Sequence, residues 1–222
     1  MGRKEQVVKE IRENRIIAIF RNIETDKCVD TAKALYNGGI RVVEVTFDQT
    51  EKAGGYYSTV ESIRRISQAM DGKMCVGAGT VLTLEEVHLA YNAGARFIIT
   101  PNTDIEIIRF AGSLDMAVMP GAYTATEVNN AYGAGADFVK IFPASEAGTK
   151  YFKALSGPLG HIPLTAVGGI NEENAREFLD AGAVGLGIGG NLVDKRLIAG
   201  NRFDEITETA KRYVDRIRED HS

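Results

Sequence analysis

The chain carries little that would staple, anchor or metallate it. Only two cysteines, Cys28 and Cys75, occur in 222 residues, so there is no disulfide framework and no paired spacing suited to metal. The three histidines, His88, His161 and His221, stand far apart. No apolar run approaches the roughly 18 to 20 residues of a membrane helix. The opening segment MGRKEQVVKEIRENR is highly charged and has no apolar stretch, unlike a secretory signal. Charge of one sign is not in large excess either. A net charge of −4, with acidic and basic residues scattered throughout, argues against a nucleic-acid platform. Low-complexity segments are missing as well. These absences point to a cytoplasmic protein with no metal, no cofactor, and neither nucleic acid nor membrane as a partner. Its length allows one sizeable core.

What is present is a repeating pattern. YNGGIRVVEVT, YNAGARFIIT, YGAGADFVKIF and LDAGAVGLGIG each read as a helix end, a small-residue turn and a β-branched or aromatic strand. Their turn glycines are Gly39, Gly94, Gly135 and Gly182. Further apolar runs, KMCVGAG, DMAVMPG and IPLTAVGG, fall between them, and RIIAIF precedes the first. The strands are placed at 16–20, 41–46, 73–77, 96–100, 116–119, 137–142, 163–167 and 184–188. Each is followed by a segment of helical periodicity, which implies parallel βαβ units. Eight such units close most naturally into a (β/α)8 TIM barrel, a single α/β domain over residues 1–222. An open doubly wound sheet is the competing arrangement. Residues 3–14 read as an extra N-terminal helix able to cover the barrel floor.

Two ionisable side chains interrupt apolar strands. Lys140 stands inside GADFVKIFPAS (residues 135–145), and Glu44 inside VVEVT. Lysine is almost never fully buried unless it is paired or put to use. If Val42, Glu44 and Thr46 share one strand face, and Phe138, Lys140 and Phe142 another, both charges point into the barrel. The bland alternative is a self-neutralising ion pair, which desolvation makes a poor stabiliser. A lysine desolvated among apolar neighbours instead has a lowered pKa, and its neutral amine can attack a ketone to form an iminium. Such chemistry needs a proton carrier within reach, and Glu44 supplies one.

Several loops after the strands could hold anions. AVGGIN (166–171) and GIGGN (187–191) follow strands 7 and 8, the usual phosphate position in such barrels. Gly168, Gly169, Gly189 and Gly190 would let backbone N–H groups approach phosphate oxygens closely. Asn171 is a plausible N-cap, with Asn174 where a capping box carries Glu or Gln. GAGTV (77–81) offers a further backbone anion site, with the Thr80 hydroxyl as donor. Arg21, just after strand 1, is a candidate carboxylate clamp, unless it is simply a solvated loop residue.

In order and spacing, EVTF, GAGTV, TPN, MPGAYTATE, VKIFPAS, AVGGI and GIGGNLV resemble the 2-keto-3-deoxy-6-phosphogluconate / 4-hydroxy-2-oxoglutarate aldolases. The likeness runs from about residue 14 to the C-terminus. It implies a metal-free class I aldolase on a (β/α)8 barrel, typically a homotrimer, of the type used in the Entner–Doudoroff pathway. Such an enzyme cleaves a 2-keto-4-hydroxy acid to pyruvate and glyceraldehyde 3-phosphate or glyoxylate, so the partners are pyruvate and a phosphorylated keto sugar acid.

By the resemblance, Lys140 matches the Schiff-base lysine and Glu44 the proton-shuttling carboxylate. Arg21 and Thr80 match positions that hold the pyruvyl carboxylate, and Pro101 and Phe142 match residues that wall the pocket. Gly168, Gly169, Gly189 and Gly190 match the phosphate-binding turns, which Asn191 adjoins where many members have Ser. Asp48 stands where many gluconate-type members carry Arg, shifting the carboxylate onto Arg21. Val167 replaces a substrate-contacting Thr, as in the galactonate-6-phosphate branch. The loop DQTEKAGGYYS is longer than the family pattern and is expected to bring Tyr56 and Tyr57 near the mouth. Two other readings stay open: a phosphate-binding isomerase or epimerase with Glu44 as base, and a sugar-phosphate sensor without turnover.

Overall fold

The computed structural model describes residues 2–50 and 56–218. The interior of the long loop after the second strand, and His221, lie outside the described residues. In chain order the elements are α1 (Arg3–Asn14), β1 (Ile16–Phe20), α2 (Cys28–Asn37), β2 (Val42–Thr46) and α3 (Tyr57–Ala69). Next come β3 (Cys75–Gly79), α4 (Leu84–Ala93), β4 (Phe97–Ile99), α5 (Ile105–Ser113), β5 (Ala117–Met119), β6 (Gly121–Ala122) and α6 (Ala125–Gly133). The chain continues through β7 (Val139–Ile141), α7 (Ala144–Leu159), β8 (Leu164–Val167), α8 (Ala175–Asp180), β9 (Gly185–Ile188), α9 (Lys195–Ala199) and α10 (Phe203–Arg218).

All nine strands among the described residues belong to one sheet in the order β5-β4-β3-β2-β1-β9-β8-β7-β6, and every pairing is parallel. The sheet curls into a nearly closed TIM-type barrel whose seam falls at Pro120. Proline has no N–H to give a ladder, so the fifth strand position splits. β5 pairs with β4, and β6 with β7. The carbonyls of Val118 and Pro120 still accept from Phe138 N–H at 3.3 Å and Lys140 N–H at 2.9 Å. Asp137 accepts from the buried Val118 N–H with its carboxylate at 2.9 Å and takes an ion pair from Lys4 of α1 at 3.0 Å. The eight expected strands are therefore present, with one in two pieces. The third begins two residues later than the 73–77 expected from sequence. Lys73 and Met74 N–H groups both still donate to the Met70 carbonyl, prolonging the turn out of α3.

Strand alternation sorts the core into two layers. Ala18, Val43, Ala78, Ile98, Val139 and Ala166 face outward into the strand–helix layer. Ile17, Val42, Cys75, Phe97, Ile99, Met119 and Phe138 face inward, where Val7 and Ile11 of α1 join them. The opening helix thus plugs the barrel floor, as expected for residues 3–14. Cys75 is part of this plug. Burial pushes its thiol far up, so it packs as a small hydrophobe. One layer nearer the C-terminal end, the inward positions become Glu44 and Lys140.

Candidate active site

Glu44 and Lys140 lie two residues beyond Val42 and Phe138 on β2 and β7, so both inherit the inward direction of those apolar neighbours. Glu44 is 2% exposed and Lys140 6%. Around Lys140 stand apolar surfaces, including the Phe142 ring, whose centroid is 4.8 Å from Nζ. Burial pulls the Lys140 pKa down; the charge of Glu44 opposes that shift and Arg21 adds to it. Burial also pushes the Glu44 carboxyl up, against the attraction of Lys140 and Arg21. Burial thus favours the uncharged form of each group, while their mutual attraction opposes both shifts.

These two side chains open onto a cavity of about 450 Å³ at the C-terminal end of the barrel. The structure brings to its wall the lysine and carboxyl together with each residue expected to hold the carboxylate or phosphate or to wall the pocket. Arg21 and Thr80 occupy one side with Glu44, and Pro101, Lys140 and Phe142 another. Val167, Gly168, Gly169, Gly189, Gly190 and Asn191 complete it. Arg21 Nη2 donates to Thr80 Oγ1 at 3.4 Å, leaving the rest of the guanidinium fork for an anion. Gly168 and Gly169 adopt φ of 94° and 74°, a region open to glycine without strain. Asn171 and Asn174 cap the following turn reciprocally: each side-chain oxygen accepts the other's backbone N–H, at 3.0 and 2.9 Å. Asn191 Nδ2 holds the Ile170 carbonyl at 2.8 Å, joining the two glycine turns. Leu192 and Val193 N–H groups donate to Gly189 O, so Gly190 and Asn191 open a helical turn where backbone donors are available to an anion.

Sequence reasoning missed three wall residues: Ile19, Ile170 and Gly187. Ile19 was legible, being two residues before Arg21 on an alternating strand. The loop after β2 behaves differently from expectation. Asp48 does not line the cavity, and its carboxylate accepts from Thr50 N–H at 2.9 Å and Thr50 Oγ1 at 2.7 Å. Tyr56 packs edge-on against Phe47 at 5.1 Å, Tyr57 is 70% exposed, and neither lines the cavity. A second cavity of about 450 Å³ sits beside α1 at the opposite end, among Arg3, Arg41, Lys73 and Arg96. It holds no buried acid–base pair.

Residues 7–209 match the family described as Aldolase: KDPG and KHG aldolase. The chain belongs to that family. It is an aldolase, an aldehyde-lyase. It is 37% identical to the 2-dehydro-3-deoxy-6-phosphogalactonate aldolase of Escherichia coli K12, over 92% of this chain and 95% of that one. With the 2-dehydro-3-deoxy-phosphogluconate aldolase of Haemophilus influenzae it shares 30% identity, over 96% and 98%. Among solved structures it resembles the KDPG aldolase of Legionella pneumophila, with TM-score 0.82 and 27% identity over 92% and 96% of the two chains. That crystal structure holds pyruvate captured at low pH as a covalent carbinolamine intermediate.

Proposed function

We propose that this aldolase works through a Schiff base on Lys140 and cleaves a 2-keto-3-deoxy-6-phospho sugar acid, of gluconate or galactonate type, or 4-hydroxy-2-oxoglutarate. The products are pyruvate and either glyceraldehyde 3-phosphate or glyoxylate. The observation that carries this reading is the buried lysine and carboxyl facing one cavity with an arginine at its side.

The neutral Lys140 amine adds to the C2 ketone and gives a carbinolamine. Glu44 donates a proton to the departing hydroxyl, water leaves, and the iminium forms. Glu44, now a carboxylate, takes the proton of the C4 hydroxyl, directly or through water. The C3–C4 electron pair moves into the iminium, the aldehyde departs, and an enamine remains. Protonation at C3 and hydrolysis release pyruvate and the free amine. The barrel contributes position and fixed charge: Arg21 and Thr80 for the carboxylate, Pro101 and Phe142 as walls, and the two glycine turns with Asn191 for the phosphate. Val167 and the galactonate-type relative support the galactonate epimer as one substrate.

A cytoplasmic homotrimer is part of the same reading. The association is supported by the exposed apolar side chains Leu82, Leu84, Ile105 and Tyr123, set on successive strand-to-helix loops and helix starts at the catalytic end. Sedimentation of the full chain tests it, and a monomer at micromolar concentration would remove it.

Borohydride trapping tests the chemistry. With pyruvate, the parent protein should gain a stable adduct, because only an iminium is reduced, whereas an isomerase or epimerase would gain none. Lys140→Ala should abolish the adduct with the fold intact. Continued trapping would move the chemistry to another lysine, such as Lys150 or Lys153, both exposed on α7.

A further inference from the structure

Thr80 holds a backbone conformation it should avoid. Its φ is +53°, and among the described non-glycine residues at positive φ it alone is β-branched. Such a residue stays there only when its surroundings over-determine it. The restraint is on the page. Gln49 Nε2 donates to the Thr80 carbonyl at 3.0 Å and, with its other hydrogen, to Glu86 Oε1 at 2.7 Å. Neither Gln49 nor Glu86 lines the catalytic cavity.

Glu86 is an unusual anchor. It is the third residue of α4, and its carboxylate reaches back to the N–H groups of Leu82 and Thr83 at 2.5 and 3.0 Å. Thr83 Oγ1 accepts from Glu86 N–H at 3.1 Å, which completes a capping box. Capping-box glutamates commonly sit at the surface, yet this one is 0% exposed. Its burial is tolerated because donors converge on both oxygens. Tyr56, from the far side of the loop after β2, stands near the same carboxylate: burial and then the Glu86 charge raise its phenol pKa. A buried acid at a helix start thereby ties the loop after β2 to the loop after β3, and Gln49 is the tie.

We propose that Gln49 and Glu86 are positioning residues, a strut that keeps Thr80 at positive φ with its hydroxyl turned toward Arg21. This rests on the reading that Lys140 attacks a 2-keto acid and that Arg21 and Thr80 hold its carboxylate. Without the strut Thr80 relaxes to negative φ, its hydroxyl leaves Arg21, and the carboxylate grip loosens. The Lys140 amine itself is untouched.

The test is borohydride trapping as a function of pyruvate concentration. Gln49→Met keeps side-chain length but cannot donate. It should raise the half-saturating pyruvate by about fivefold or more, with the plateau rate within about twofold of the parent. Glu86→Gln keeps an acceptor for the cap but sets an amide against an amide, and it should shift the same value in the same direction. In a Thr80→Gly background, where positive φ is free of strain and no hydroxyl remains, Gln49→Met should add less than about a twofold shift. An unchanged half-saturation in both single variants, while Arg21→Ala raises it, overturns the strut alone. So does a full Gln49→Met shift persisting in the Thr80→Gly background. A parent protein that pyruvate does not label, or an Arg21→Ala variant with unchanged half-saturation, overturns the reading of the site and the strut with it.

Discussion

The carboxylate of Glu44 occupies the space that a β-carbon on Gly79 would fill. Glu44 and Gly79 sit on adjacent strands, with Thr46 paired to Gly79 across β2 and β3. Glycine at 79 is thus the condition for an acid lying flat across the barrel mouth. Gly79→Ala should push Glu44 off its present line. Turnover should fall by about 10² or more, the scale of misplaced acid–base groups, while pyruvate labelling of Lys140 persists. Steady-state cleavage beside a labelling assay checks it, and near-parental turnover would show that Glu44 tolerates displacement.

Glu44→Gln asks a cleaner question, because shape is kept and only the proton is lost. Turnover should drop by roughly 10² or more, with pyruvate still bound. If kcat stays near the parental value, the acid is a structural partner of Lys140 and the proton carrier lies elsewhere.

The pH dependence of labelling follows from the charges around Lys140. The amine is the reactive form, so labelling at saturating pyruvate should rise with pH through a midpoint below the ordinary lysine value of about 10.4. The charge of Glu44 raises the Lys140 pKa and that of Arg21 lowers it. Glu44→Gln should therefore move the rising limb to lower pH, and Arg21→Ala to higher pH. Limbs that move the opposite way would show that the charges act on another group.

Stability should move against activity. The Glu44 pKa is raised in the folded protein, so its contribution is present below the unfolded carboxyl value and lost as pH rises through the folded one. Lys140 is lowered, so its contribution is present above the unfolded lysine value and lost as pH falls through the folded one. Near pH 7 both burials cost stability. The double variant Glu44→Gln with Lys140→Met should gain about 1–4 kcal/mol. For a chain of this size that is at least about 2 °C in Tm, with no turnover. A lower Tm in calorimetry would mean the pair is a net stabiliser.

On the proposed function, substrate choice turns on Val167, whose side chain has no hydrogen-bond donor to offer the C4 hydroxyl. A site without such a donor leaves nothing unpaired with the wrong epimer and discriminates weakly. Gluconate- and galactonate-type 6-phospho keto acids should be cleaved at kcat/KM values within about tenfold, ~1.4 kcal/mol. Val167→Thr should favour the gluconate epimer by about 1 kcal/mol more. Strong selectivity in the parent, or no response to the threonine, would place discrimination elsewhere on the cavity wall.

By itself the sequence determined what neighbours along the chain can encode. Alternation placed Val42 and Glu44, and Phe138 and Lys140, on shared strand faces, and apolar neighbours on both sides made the burial of both charges legible. Gly168-Gly169 and Gly189-Gly190 marked their turns because their backbone demands are local. Tertiary structure decided whatever depends on closure. Arg21, Thr80, Val167 and Phe142 meet because the sheet curls until its first and last strands face one cavity, and local periodicity carries no such distance. The short β6 (Gly121–Ala122) has no side-chain pattern of its own and exists because β7 supplies its hydrogen bonds. The burial of Glu86 was equally hidden. Its capping box in VLTLEE is local, but Gln49, which takes its second oxygen, comes from the preceding βα loop. Only the packing of one loop against the next joins them.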